Sequence, residues 1–294
     1  MDERRKARGA VLLANFFFGT SVIAVKHITP SLLHPLALTA IRIVATTFLF
    51  WSLYAMKPVK TGIVKKDYLR LFLCALAGIT MNQTFTMKGW SLTSPIHASL
   101  LILTTPIAIT FLAAWILKER LTPLKLIGLL LGISGGAILV FSRDLSAIAG
   151  AEQSLGDLFV IMGALSYSVY VIAIKPLMIK YKATHILQWV FLFGAFASLP
   201  IGWNELVKIE WVRFDVISWF YIAYVVLGST FFAYRLMNYG ISKLGAAITG
   251  SYIYTQPFFA TVASMLILHE TLSLPKIGAA ALIMGGVFLA NYKK

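Results

Sequence analysis

Apolar runs of about 20 residues follow one another along the chain, and short stretches between them hold most of the charges. An α-helix needs about 20 residues to cross a hydrocarbon core of ~30 Å. Boundaries drawn at charges, prolines and glycines predict ten such helices. The predicted spans are Ala7–Ile28, His34–Met56, Tyr68–Met87, Ser94–Leu117, Pro123–Phe141, Leu155–Ile174, Thr184–Trp203, Val216–Met237, Leu244–Leu268 and Leu274–Tyr292. The pattern therefore predicts an all-α membrane protein with ten transmembrane helices.

The longest polar connection in the middle of the chain divides the ten predicted spans into two sets of five. Residues 1–141 form the first predicted unit, residues 142–154 (Ser142–Ser154) the linker, and residues 155–294 the second unit. Both units carry the same residues about 151 positions apart. The matching pairs include Gly89 with Gly240, Pro106 with Pro257, and Glu119 with Glu270. We interpret the two units as copies of one five-helix repeat.

An odd number of spans in each copy has a consequence for topology. The second copy must cross the membrane in the opposite direction to the first, so the two repeats are inverted. Lys and Arg residues support this arrangement, because they concentrate on the cytoplasmic side of membrane proteins. With a cytoplasmic N-terminus, 19 of the 26 fall on the inside, six on the outside, and Arg42 lies within a span. The sequence predicts that both termini are cytoplasmic.

Composition agrees with a membrane protein and argues against several other classes. Hydrophobic residues make up 59% of the chain and charged residues only 13%, about half the share of a soluble domain. The net charge of +15 does not indicate nucleic-acid binding, because the basic residues are scattered between apolar runs. The single cysteine, Cys74, excludes an intrachain disulfide. Neither a cofactor nor a metal site is predicted, and no catalytic motif indicates an enzyme.

Inverted repeats are typical of secondary transporters, whose substrate site lies near the middle of the bilayer between the repeats. The residue pairs above, the glycines Gly128, Gly135 and Gly136, and the stretch NQTFTMKGWSLTSPIHASLLILTTP (Asn82–Pro106) resemble a known family. The chain is similar to the drug/metabolite transporter superfamily, specifically its EamA-type members with ten helices. The resemblance implies a central cavity lined by spans 1, 3, 4, 6, 8 and 9. It also implies transport, often export, of amino acids, aromatic compounds or organic cations.

Polar and aromatic residues on these spans are the predicted substrate contacts, because amide groups at this depth need partners and tyrosines combine an apolar ring with a hydroxyl. Interhelical hydrogen bonds and interfacial tyrosines are the alternative explanation for each residue. The predicted substrate-binding residues are Asn15, Gln83, His97, Tyr167, Tyr170, Tyr234 and Tyr252.

Three charged residues are candidates for gating or coupling. Arg42 lies about eight residues inside the second span, where a charge must face protein or water. It is either a structural anchor, for instance through backbone carbonyls, or a contact to substrate or gate. Glu119 and Glu270 precede the Ser/Thr-Pro starts of spans 5 and 10, where a carboxylate favours the helix terminus. Each glutamate either belongs to a re-entry turn and forms a salt bridge, or has a gating or proton-linked role.

No Asp or Glu is predicted in the interior of a span, so a buried carboxylate relay is not expected. Proton coupling would then depend on His97, Glu119 or Glu270.

The function predicted is a secondary transporter, more specifically an exporter of small metabolites, in a bacterial cytoplasmic membrane. Its partners would be a small substrate and the lipid bilayer. An anion or phosphorylated-metabolite exchanger is the alternative, with its phosphate held by Lys26, Lys88, Lys175 and Arg235. A membrane-embedded enzyme and a receptor or scaffold are the alternatives from other classes.

Overall fold

The computed structural model describes residues 3–56, 58, 62–116, 123–141, 151–244, 249, 252–269 and 273–291. Every regular element in these ranges is helical. The α-helices are α1 (Glu3–Ile28), α2 (Pro35–Met56), α3 (Asp67–Ala75), α4 (Asn82–Leu92), α5 (Pro95–Leu101), α6 (Thr104–Ile116), α7 (Pro123–Phe141), α8 (Ala151–Lys180), α9 (Ala183–Leu206), α10 (Val216–Ala223), α11 (Ala233–Leu244), α12 (Gln256–Ile267) and α13 (Leu274–Asn291). The prediction of an all-α protein is therefore confirmed for the part of the chain that is described.

Several of these helices are suited to a bilayer. Five are long and apolar enough to cross it, and four shorter apolar helices accompany them. The five are Glu3–Ile28, Pro35–Met56, Glu152–Lys180, Ala183–Leu206 and Val216–Leu244. Large apolar side chains also lie on the outer surface, where Phe48, Trp115 and Phe196 are each at least 70% exposed. A soluble protein avoids such a surface, whereas lipid tails cover it at no cost. The chain is a multi-pass membrane protein.

Two π-helical segments occur at matching positions of the predicted repeats. Leu76–Met81 joins α3 to α4, and Tyr224–Phe232 joins α10 to α11, so each set forms one continuous helix. Within the second segment, the Thr230 hydroxyl donates to the carbonyl of Val225, five residues earlier, at 2.7 Å. A π-helical turn leaves backbone and side chains in positions that an α-helix does not offer, and such turns are frequent at functional sites.

Prolines at matching positions interrupt two predicted spans. The span predicted over Ser94–Leu117 is broken at residues 102–103, between α5 and α6, just before Pro106. Proline lacks an amide hydrogen, and its ring collides with the carbonyl four residues earlier, which disfavours a continuous α-helix there. In the second half, α12 with Pro257 at its second position follows a 3-10 turn, Tyr252–Thr255.

One helix is much longer than its predicted span. Helix α8 begins at Ala151, inside the predicted linker, and ends at Lys180 rather than Ile174. Residues 142–150 of the linker lie outside the described residues. The longer helix carries Asp157 away from its end and into the bundle.

Helix packing brings the two halves together. Helix α2 packs against α9, and α7 packs against α13. Helix α1 packs against α11 and α12, while α8 packs against α4 and α6. In the predicted repeats, α1 corresponds to α8, and the spans that contain α11 and α12 correspond to those that contain α4 and α6. The same contacts are therefore found in both halves when each span is exchanged for its counterpart. Helices α1 and α8 therefore occupy the middle of the bundle, with helices from both halves around them.

Glycines allow α7 and α13 to approach closely. A Cβ atom at Gly286 would lie 2.5 Å from the Gly128 carbonyl oxygen and 2.6 Å from the Gly132 nitrogen, both backbone atoms of α7. At Gly285, the preceding residue, a Cβ atom would meet nothing within 4 Å. Small residues at such contacts permit close packing in lipid, where no hydrophobic effect drives the helices together. These positions make a matched pair for a stability test.

We expect Gly286→Ala to lower the unfolding free energy by about 1–3 kcal/mol, because α7 and α13 must separate to accept the methyl group. Gly285→Ala should leave stability unchanged or raise it slightly, since alanine favours helix over glycine by about 1 kcal/mol. Thermal unfolding of the two purified variants in detergent measures both effects. Equal midpoints for both variants would contradict the packing assigned to this pair.

Candidate functional site

A cavity of about 100 Å³ lies between the helices in the middle of the bundle, and we call it the central cavity. Seven predicted spans from both halves contribute to its wall. The lining residues are Phe18, Arg42, Asn82, Gln83, Thr86, Trp90, Ile102, Thr105, Val160, Ala164, Tyr167, Tyr234, Met237, Ile253 and Gln256. Amides, hydroxyls and aromatic rings are therefore combined in one wall, as a site for a small amphipathic molecule requires.

Further cavities lie between this space and one end of the bundle. A second cavity of about 30 Å³ shares Phe18, Tyr167, Tyr234 and Met237 with the central cavity. A wide opening of about 990 Å³ shares three other residues with the second cavity, and we call it the open end. Those shared residues are Met178, Asn238 and Ile241. The central cavity and the open end are thus separated by the second cavity, and four apolar and aromatic side chains form the wall between the central and the second cavity.

A group of buried and half-buried polar side chains lies near the opposite end of the bundle. We call Lys26, Thr93, His97 and Asp157 the polar cluster. The Asp157 carboxylate accepts a hydrogen bond from the Thr93 hydroxyl and lies 3.0 Å from Nδ1 of His97. The Lys26 ammonium donates to the carbonyls of Ser91 and Thr93, at 3.3 and 3.1 Å. The polar cluster therefore joins α1 and α8 to the turn between α4 and α5.

Burial of Asp157 corrects one expectation from the sequence. The predicted span began at Leu155, which put Asp157 at an edge and left no carboxylate inside a span. In the structure Asp157 is six residues into α8 and fully buried, and the side chains of Asp157 and His97 are each 1% exposed. Polar groups so far from water are costly unless they have close hydrogen-bond partners, and each residue supplies one to the other.

Arg42 is the charged residue of the central cavity. It is 4% exposed, and its guanidinium donates to three groups on other helices. Nε donates to the Thr230 hydroxyl at 2.9 Å, Nη1 to the Met87 sulfur at 3.0 Å, and Nη2 to the Ser229 hydroxyl at 3.5 Å. Two of these partners belong to the π-helical segment Tyr224–Phe232. The partners are side chains rather than the backbone carbonyls expected of a simple anchor.

The predicted substrate contacts fall in several places. Gln83, Tyr167 and Tyr234 line the central cavity together with Arg42, and Gln83 Nε2 donates to the Tyr234 hydroxyl at 3.3 Å. Tyr170 lines the second cavity. His97 belongs to the polar cluster.

The remaining predicted residues lie outside the central cavity wall. Asn15 is fully buried and accepts a hydrogen bond of 2.7 Å from Gln256, which does line the cavity. Its own amide donates to the Val11 carbonyl at 2.7 Å, so Asn15 links α1 to α12. Tyr252 packs against the apolar core near the start of α12. Glu119 and Glu270 lie outside the described residues.

Other lining residues were not singled out from the sequence. Thr86 and Trp90 follow Gln83 at intervals of three and four residues, so the three share one face of α4. Their spacing along the chain could therefore have been used to predict from the sequence that these residues line the same cavity as Gln83. Phe18 lies three residues after Asn15 in α1 and reaches both cavities. An apolar residue of this kind carries no sequence signal that separates a cavity wall from a lipid-facing surface.

The chemistry of the wall is selective in charge. Its only charged residue is Arg42, and none of the described lining residues is acidic. In the described ranges, no group of three or more His, Cys, Asp and Glu side chains could bind a metal ion. The cavity can therefore bind and orient a small molecule, and the described part of the chain offers no metal centre for catalysis.

Comparisons with known proteins agree with this description. The sequence model of the EamA-like transporter family matches residues 6–141 and again residues 154–292. The uncharacterized transporter YetK of Bacillus subtilis is 26% identical, over 86% of this chain and 76% of its own. The uncharacterized transporter sll0355 of Synechocystis sp. is 25% identical, over 97% of this chain and 90% of its own. A chloroplastic WAT1-related protein of Arabidopsis thaliana is 25% identical, over 96% of this chain and 69% of its own.

A solved structure shares the fold. It is a crystal structure whose alignment with this protein covers 98% of this chain and 97% of the other chain. The TM-score is 0.67 and the sequence identity is 20%. The family model and the names of these relatives indicate a membrane transporter. The chain belongs to the EamA-like transporter family, which confirms the resemblance found in the sequence.

Proposed function

We propose that this transporter is a secondary exporter of small amphipathic metabolites, such as amino acids or aromatic compounds, and that it works by alternating access. The observation that carries the proposal is the central cavity, which combines polar and aromatic side chains, lies between the halves, and adjoins a second cavity that in turn adjoins the open end. Such a space suits a molecule that enters from one side and leaves from the other.

The proposal includes ten spans in two inverted repeats, comprising residues 1–141 and 155–294 on either side of the linker. Two findings support it. The family model matches the two halves separately. Helix pairs such as α2 with α9 and α7 with α13 are each made of corresponding spans, which is the packing that a pseudo-twofold axis requires.

Orientation in the proposal follows the basic residues. Lys182, Arg235 and Lys243 line the open end, which we assign to the cytoplasm with both termini. The polar cluster then lies toward the outside. In this assignment the structure is the inward-open form, and an exporter in that form would take its substrate from the cytoplasm.

Alternation in this proposal has two parts. On the cytoplasmic side of the substrate, four side chains would close together: Phe18, Tyr167, Tyr234 and Met237. These side chains already lie between the central cavity and the second cavity. On the outer side of the substrate, the residues of the polar cluster would separate, because they join helices that must move apart. Proton coupling would act at His97 and Asp157. Lys26 of α1, which donates to the carbonyl of Thr93, is the nearby cation.

Counterflow into proteoliposomes tests the transport function. Vesicles with the purified full-length protein, loaded with unlabelled phenylalanine, should transiently accumulate radiolabelled phenylalanine from outside. Protein-free vesicles should not. A parallel assay with tryptophan, benzoate and tetraethylammonium compares the proposed classes. Absence of counterflow for every compound, with a protein shown to be folded by its unfolding transition, would reject the proposal.

The anion-exchanger alternative has weaker support. Lys26 already donates to two carbonyls in the polar cluster, and Lys175 lines the second cavity rather than the central one. Exchange of inorganic phosphate in the same vesicles, lost in Lys175→Ala, would favour this alternative. A receptor or scaffold role would be favoured by a protein that binds a partner domain and transports none of the compounds.

A further inference from the structure

Arg42 is buried deep in the bundle, and no described acidic residue lies beside it. It lies seven residues after the start of α2, which corresponds to ~10 Å along the helix axis. Its three hydrogen-bond partners, Thr230, Met87 and Ser229, are all neutral. A guanidinium has five N–H groups in a planar fork, so these three contacts leave donor capacity unused.

The acidic residues of the described ranges interact elsewhere. Asp67 pairs with Lys180, Asp157 with His97, and Glu3 with Lys243. Glu205 and Glu210 form ion pairs with Lys208 and Arg213, Asp215 accepts a hydrogen bond from Ser218, and Glu152 is exposed near the start of α8. Within these ranges, no carboxylate forms an ion pair with Arg42. Among the described residues, its positive charge is therefore compensated only by dipoles.

Two further polar atoms belong to residues that line the same cavity. Gln83 is 2% exposed, and its Oε1 atom has no hydrogen-bond partner although its Nε2 donates to Tyr234. The Trp90 side chain is 4% exposed, and its Nε1 likewise has no partner. Buried polar atoms of this kind cost free energy unless something binds them. The wall thus holds unused donors at Arg42 and Trp90 and an unused acceptor at Gln83.

We infer that the central cavity binds a substrate through its carboxylate, which Arg42 receives, and through a hydrogen-bond donor of the substrate, which Gln83 Oε1 accepts. An α-amino acid or a 2-hydroxy acid with an aromatic side chain carries both groups. Phe18, Trp90 and Tyr167 supply aromatic surface for that side chain. This inference rests on the proposed transport function and narrows its substrate class.

The energetic reason is the charge of the cavity. An uncompensated guanidinium in a low-dielectric site is costly, and a carboxylate offsets that cost in a bidentate, charge-assisted pair. A cationic substrate without an anionic group would instead add a second positive charge to a wall that has no described carboxylate. The cavity therefore discriminates by the sign of the substrate's charge, and organic cations are excluded.

Ligand pairs test the inference on the unmodified protein. Phenylalanine and phenyllactate should compete with radiolabelled phenylalanine in counterflow and raise the unfolding temperature. Phenylalanine amide, which keeps the ammonium but lacks the carboxylate, should compete at least about tenfold more weakly, since a site built for a polar group rejects an analogue without it. Phenylpropionate, which lacks the donor for Gln83, should also compete about tenfold more weakly than phenyllactate.

Variants assign the effect to Arg42. Arg42→Gln should abolish the preference for the acid over the amide, and Arg42→Lys should retain part of it because the charge remains. Arg213→Gln, at an exposed arginine in a loop, is the matched control and should behave like the unmodified protein. If Arg42→Gln does not fold, the comparison of acid and amide on the unmodified protein decides the matter.

The outcomes separate this inference from the transport function. Counterflow of the amide equal to or faster than that of the acid would overturn the carboxylate site and leave a transporter of other specificity. An acid preference unchanged in a folded Arg42→Gln variant would overturn the role of Arg42. Absence of counterflow for acid, amide and the wider set of compounds would reject both proposals together.

Discussion

Asp157→Asn is expected to open the polar-cluster end of the bundle. The substitution keeps the shape of the side chain but replaces the carboxylate that contacts His97 at 3.0 Å by an amide, in a pair whose side chains are each 1% exposed. Removing one partner of a buried pair costs about 3 kcal/mol or more. If that end must separate during transport, the cost shifts the equilibrium toward its open form by about a hundredfold.

Thiol labelling measures this shift. Cys74 is the only cysteine and is buried, so a Cys74→Ser background leaves a clean starting point. Thr86→Cys then reports from the wall of the central cavity. An impermeant thiol reagent should reach position 86 mainly from the open end, and in the presence of Asp157→Asn also from the polar-cluster end. Counterflow should fall at least about tenfold, because a transporter held open on one side cannot complete its cycle.

Asp215→Asn is the matched control. Asp215 precedes α10 and accepts from the Ser218 amide at 2.8 Å as a helix cap, and asparagine caps a helix equally well. Its labelling and counterflow should equal those of the parent protein. Identical labelling of Asp157→Asn and Asp215→Asn would show that the polar cluster does not close this end. A stimulation by a proton gradient that persists in Asp157→Asn would separately exclude coupling at this pair.

Ala164→Leu is expected to block transport without unfolding the protein. Ala164 lies on α8, is 6% exposed and lines the central cavity. The three added carbons would occupy space that the substrate needs. Filling a void with apolar atoms contributes about 0.8 kcal/mol per methylene, so the unfolding temperature should not fall. Counterflow of radiolabelled phenylalanine should drop to the level of protein-free vesicles.

Ala281→Leu makes the same chemical change on an exposed position of α13. It should leave counterflow unchanged, because a side chain on the lipid-facing surface does not narrow the cavity. Full transport by a folded Ala164→Leu variant would show that substrate does not pass through the central cavity. The proposed mechanism would then need another route through the bundle.

Helix positions were largely predictable from the sequence, and the substrate cavity was predictable only in part. Helix α7 begins and ends at the predicted residues, Pro123 and Phe141. Gln83, Tyr167 and Tyr234, selected as polar or aromatic residues on central spans, do line the cavity. Asn15 was selected on the same grounds, yet the structure gives both its amide groups protein partners. Residue type alone does not separate these cases.

The π-helical segments and the polar cluster were not predicted. No residue type within Leu76–Met81 or Tyr224–Phe232 distinguishes a π-helical turn from an α-helical one in the sequence. Asp157 and His97 are 60 positions apart, and their contact depends on how α5 meets α8. An estimated span boundary two residues away from Asp157 was enough to make it look like an edge residue.

The order of apolar and polar residues by itself determined that this chain forms helices that cross a bilayer, because the transfer of a residue into lipid depends chiefly on its own side chain. The repeated motif likewise identified the family. Only the tertiary structure decided which buried polar atoms pair with each other and which remain free for a ligand. Gln83 and Asn15 are both buried amides, and the helix that faces each one makes the difference. Hydrogen bonds and ion pairs between helices depend on distances of a few ångströms between residues far apart in the chain.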